Sequence, residues 1–79
     1  MIVNIYYVDE KTGLTRKSRA YSYRCALESP AVGMRVIAPT SEREALAEIC
    51  EVDVPEDKIN PKILPLLKEI TKEAPTNGE

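Results

Sequence analysis

The sequence predicts a mostly β fold: a small antiparallel β-barrel of four to five strands closed by a C-terminal helix. Three observations predict it. Several segments alternate side-chain character with period two, as "AYSYRC" does, so that every second residue faces the same side. Gly and Pro punctuate these segments at Gly13, Pro30, Gly33 and Pro39. Only one stretch, residues 63–70, carries apolar residues at helical spacing, and it comes last. Strands first and one helix last do not give the βαβ alternation of a parallel sheet.

Each element follows in order. "IVNIYYV" is rich in β-branched and aromatic residues and reads as the first strand. "DEKTG" supplies a turn. The second strand is expected through "LTRKSRAYSYRC", with Tyr21, Tyr23 and Cys25 on one face and Ser22 and Arg24 on the other. "ALESPAVG" interrupts the pattern, and "MRVIA" forms a short third strand stopped by Pro39. The polar connection "TSERE" leads to a long fourth strand, "ALAEICEVDV". There Leu46, Cys50, Val52 and Val54 share one parity, and Ile49 falls on the other, as a β-bulge or a partly covered second face would explain.

The last element is expected to be helical. Asn60 is a suitable N-cap, Pro61 suits the first helical position, and Ile63, Leu66, Leu67 and Ile70 fall on one helical face. Pro65 withholds a donor and delays the regular helix. Residues 1–75 are expected to form a single domain and residues 76–79 a flexible tail. The helix would plug one end of the barrel or cover an edge strand.

Composition bounds the function. The 79 residues are 43% apolar and 30% charged, with four Tyr but no Phe or Trp, so the core is thin and self-association would thicken it. No segment is long and apolar enough to span a membrane, and "MIVNIYYVDE" lacks the marks of a signal peptide, so a cytoplasmic protein is expected. Cys25 and Cys50 are expected as free thiols. The chain has no His, no CxxC pair and no Gly-rich phosphate loop, which leaves neither an ordinary general base nor a metal-ligand set. Glu51 and Asp53 share a strand face and read as a solvated acidic edge. An enzyme, a metal site and a cofactor are therefore not expected.

Charge is divided unevenly. The formal net charge is −2, yet residues 1–36 carry six basic against three acidic side chains, and residues 37–79 five against ten. Arg16, Lys17, Arg19 and Arg24 cluster beside Tyr21 and Tyr23. Cations for phosphates next to aromatic faces for bases are what a single-stranded nucleic-acid site requires. The same cluster on a hairpin also serves as a plain solubilising face.

The segments "AYSY", "PAVGMRVIAP", "ALAEICEVDVP" and "ILPLLKEITKEAP" resemble the N-terminal domain of the primosomal replication-restart helicase PriA over roughly residues 19–75. They are also similar to small stand-alone proteins of phages and mobile elements. The resemblance implies a small barrel that binds the 3′ end of a DNA strand without catalysis. It places the pocket's aromatic at Tyr21 and its tail lysine at Lys68. The pocket's aspartate is replaced here by Ser22, and its glycine falls near Ser41. Two functions are carried forward. One is binding of single-stranded DNA or a DNA 3′ end through Arg16, Lys17, Arg19, Tyr21, Ser22, Arg24, Ser41 and Lys68. The other is a structural role, in which a strand edge or the apolar helix face pairs with a protein partner or a second copy.

Overall fold

A computed structural model describes residues 1–75; the tail expected over residues 76–79 lies outside the described residues. The chain forms one mixed sheet of six strands: β1 Ile2–Tyr7, β2 Tyr21–Cys25, β3 Arg35–Pro39, β4 Glu44–Glu51, β5 Glu69–Ile70 and β6 Lys72–Glu73. Two 3-10 turns, Glu56–Lys58 and Leu64–Leu66, lie between β4 and β5. The strand order is β5-β2-β1-β4-β3-β6. Two hairpins, β1–β2 and β3–β4, stand side by side with β1 paired antiparallel to β4 at the centre.

The C-terminal segment nearly closes this sheet into a barrel. On one edge Arg24 and Cys25 pair with Glu69 and Ile70; on the other Val36 and Ile37 pair with Glu73 and Lys72. One residue, Thr71, separates the two strands. A single extended segment therefore covers both edges, which removes unpaired backbone that would otherwise recruit another strand. The β2–β5 pairing is parallel, a departure from the all-antiparallel expectation. It arises because β5 returns to β2 only after the whole second hairpin, the long crossover that parallel pairing demands.

The expected C-terminal helix is not formed over residues 63–70. Its start is present in rudiment: Asn60 Oδ1 accepts the Lys62 N–H at 2.9 Å, and the Asn60 carbonyl accepts from Ile63 and Leu64 at 2.8 and 3.0 Å. After one 3-10 turn the chain extends. Pro65 has no N–H to continue the ladder, and extension places Ile70, fully buried, between β2 and β3.

The core comprises Val3, Ile5, Tyr23, Cys25, Val36, Ala38, Ala47, Ile49 and Ile70, with Tyr7, Leu27, Met34 and Val52 packed at its margin. Tyr23 and Cys25 share the inward face of β2 as the alternation predicts. In β4 the inward face is that of Ala45, Ala47 and Ile49, while Leu46 and Cys50 are only partly covered. The change of parity has its cause at Cys50. Asn4 lies opposite Glu51 but Ile5 opposite Ile49, so Cys50 is the extra residue of a β-bulge. Beyond β4, Asp53 adopts φ 52°, a left-handed turn that aspartate tolerates, and Val54 is buried.

The second strand begins seven residues later than expected. Only Thr15 pairs with Val8 as an isolated bridge, and residues 16–20, which lack β-branched and aromatic side chains, leave the ladder. Arg16, Lys17 and Arg19 thus sit on a loop at one end of the barrel.

Candidate functional site

The loop of residues 16–20 delivers its side chains to the barrel end where β1 finishes and β2 begins. There the Tyr7 and Tyr21 rings meet with centroids 5.0 Å apart and planes tilted by 54°. The Arg19 guanidinium lies over the outer side of this pair, 5.0 Å from the Tyr21 centroid, within range for cation–π attraction. Tyr21 keeps 37% of its surface exposed. Tyr21 is therefore partly exposed at the barrel end, with Tyr7 beside its ring and a cation over it.

Beneath the rings the hydroxyls fix one another. Tyr23 donates to the Pro39 carbonyl at 2.9 Å, and its single proton being so used, the Tyr7 hydroxyl donates to the Tyr23 oxygen. Burial, and then the contact with Tyr7, pushes the Tyr23 phenol above its ordinary range.

Two depressions open on either side of Tyr21. The larger, about 640 Å3, is walled by Lys11, Arg16 and Arg43 opposite Tyr7. Two of its cations are held by ion pairs: Arg16 to Asp9 and Arg43 to Glu10, each at 3.2 Å. The backbone N–H of Lys11 and the guanidinium of Arg16 hold the Asp9 carboxyl below the usual carboxylate range. The smaller depression, about 350 Å3, lies between the start of β2, Tyr21 to Tyr23, and the segment from Lys58 to Lys68 that carries the second 3-10 turn. Its rim carries Lys58 and Lys68 and no acidic side chain, and its wall includes Ile63 and Leu66. Arg19 and Tyr21 are the two residues common to both linings. Together the linings hold six basic and two acidic side chains, in a chain of formal net charge −2.

The structure brings together some expected site residues and separates others. Arg16, Arg19 and Tyr21 line the larger cleft; Arg19, Tyr21, Ser22 and Lys68 line the smaller. Lys17 is exposed on the same loop but lines neither. Arg24 points along the outer face and donates to the Leu64 carbonyl at 3.4 Å, where it steadies the closing segment. The Ser22 hydroxyl donates to Asn4 Oδ1 at 2.6 Å, and Asn4 in turn donates to Glu51. Ser41 is exposed in the β3–β4 connection. Its neighbours Thr40 and Arg43 reach the cleft, and it does not.

Four residues of this site are not marked by the sequence reading. Tyr7 reads as part of a strand, Lys11 as turn chemistry and Arg43 as a polar connection, and Lys58 lies between the fourth strand and the expected helix. Only the fold carries Lys58 to the start of β2.

Neither cysteine offers a reactive centre. Cys25 is buried, and burial, with the neighbouring Glu51 adding to it, pushes the Cys50 thiol up. Among the described residues there is no group of three or more His, Cys, Asp or Glu placed to hold a metal ion. No helix among them is long and apolar enough to cross a membrane. No protein-family model matches the chain, and neither a curated protein nor a solved structure matches it.

Proposed function

We propose that this chain is a non-enzymatic module that binds single-stranded DNA or a DNA 3′ end, the latter being what the resemblance to the N-terminal domain of PriA implies. The observation that carries the reading is the Arg19–Tyr21 pair. A cation stacked on a solvent-facing ring stands where two cation-rimmed clefts meet. Bases of any sequence can stack on such a ring, at about 1–3 kcal/mol per base, while phosphates find Lys11, Arg16, Lys58 or Lys68 nearby. Phosphate oxygens compete with Asp9 and Glu10 for the two paired arginines, an exchange that keeps unoccupied cations from repelling one another.

Fluorescence anisotropy with a labelled oligothymidylate tests the proposal. A strand contacting three or four phosphates gives log affinity falling against log salt with a slope of about −2 to −3. Tyr21→Ala weakens binding by about tenfold or more, the equivalent of one lost stack. No binding at low salt, or an affinity indifferent to salt, rejects the reading.

A second reading rests on a different observation. Ile63 is 50% and Leu66 74% exposed, and both line the smaller groove. On this reading the smaller groove seats a protein partner or a second copy, and the module is structural. Sedimentation equilibrium tests the self-pairing version: a strict monomer over a wide concentration range removes it.

A further inference from the structure

We infer that the site accepts an internal stretch of single-stranded DNA passing over Tyr21, rather than gripping a strand end. The inference rests on the nucleic-acid reading above and specifies its ligand. An end-binding pocket must be closed on one side, so that a chain continuing beyond the terminal nucleotide is excluded. Here both depressions are open to solvent, and they adjoin at one ridge formed by Arg19 and Tyr21. Cations stand on both sides of that ridge: Lys11 and Arg16 on one, Lys58 and Lys68 on the other. A phosphate backbone lying across the ridge meets positive charge before and after the stacked base. A terminal nucleotide lying in one depression would leave the cations of the other without phosphates.

The polar groups near the ridge support a through path. Ser22 has already committed its proton to Asn4, so its hydroxyl does not stand ready to donate to a terminal group. Ser41 lines neither depression and contributes no wall. Beside Tyr21 lie aromatic surface, aliphatic surface from Ile63 and Leu66 and long flexible cations, with Ser18, Thr40 and Asn60 as small polar groups and Asp9 and Glu10 held in ion pairs. That combination follows a backbone without reading its terminus.

The test is competition between strands of equal length and composition. A covalently closed oligothymidylate circle, its linear counterpart and the linear strand bearing a 3′-phosphate each displace a labelled linear probe. The expected result is three affinities within about threefold of one another. With Lys58→Gln and Lys68→Gln combined, circle and linear strand both weaken, and the slope of log affinity against log salt becomes shallower by about one to one and a half. A circle bound more than about tenfold more weakly than the linear strand overturns the inference and leaves single-strand binding standing. The same is true if the 3′-phosphate alone abolishes displacement. Failure of the labelled linear probe itself to bind overturns both.

Discussion

The paired strands β1 and β4 and the closing segment of residues 55–75 are both rich in aliphatic residues, but they use them in opposite ways. In β1 and β4, alternate residues go inward to complete burial: Val3 and Ile5 from one, Ala47 and Ile49 from the other. In the closing segment burial follows no simple period. Ile70 is fully buried and Ala74 nearly so, while Leu66, four residues before Ile70, is the most exposed large hydrophobic side chain among the described residues. In the first region the pleat decides which residue is inside. In the second, two open sheet edges decide, because one segment must pair with β2 and then with β3. Apolar spacing alone therefore did not determine the conformation here.

The largest effect expected from this contrast is in stability. Ile70→Ala removes a fully enclosed side chain at the closure and costs about 2–5 kcal/mol, read as a lower urea midpoint. Leu66→Ala, at an exposed position of the same segment, changes stability by no more than about 0.5 kcal/mol. Equal losses from the two substitutions break the contrast, because they place Leu66 in a packed environment.

A smaller effect is expected beneath the Tyr7–Tyr21 pair. Tyr23→Phe leaves the Pro39 carbonyl without its donor and Tyr7 without its acceptor, at about 1–3 kcal/mol; Tyr7→Phe costs about 0.5–1.5 kcal/mol. The pH dependence carries the sign of the shift. Tyr23 is raised in the folded chain, so its contribution is full below the ordinary tyrosine value near pH ~10 and declines as pH climbs above it. Urea midpoints at mildly and strongly alkaline pH therefore converge between wild type and Tyr23→Phe. Parallel curves contradict the assignment.

The smallest effect distinguishes the two cysteines. Cys50 sits at the bulge, half-covered and with its thiol pushed up, so iodoacetamide labels it more slowly than a cysteine in the unfolded chain. Cys25 is buried and becomes reactive only in denaturant. Labelling of both at one rate under native conditions would mean that the β2–β5 closure over Cys25 opens readily.

Much of the barrel was legible because strand patterns are local. "IVNIYY", "YSYRC" and "RVIAP" declare their pleat within five or six residues, and Ile49 marked the bulge by falling on the wrong parity. The helix was misread for a physical reason. Ile63, Leu66, Leu67 and Ile70 do fit a helical face, and what overrides that fit is pairing with residues some 35 to 45 positions earlier in the chain. The candidate site divides along the same line. Arg19 and Tyr21 are sequence neighbours, so their pairing could be anticipated. Tyr7, Arg43 and Lys58 reach them only through long-range strand and loop placement. Ser41, placed at the pocket by resemblance, lines neither depression because the β3–β4 connection points Thr40 and Arg43 that way instead.

Amide chemical-shift mapping of the isotope-labelled protein titrated with oligothymidylate tests the account most directly. It predicts salt-sensitive shifts concentrated at Arg19, Tyr21, Lys58 and Lys68, extending to Lys11 and Arg16, with Gly33 and Met34, which line neither depression, unmoved. Shifts centred on Gly33 and Met34, or none with DNA in excess at low salt, would contradict it.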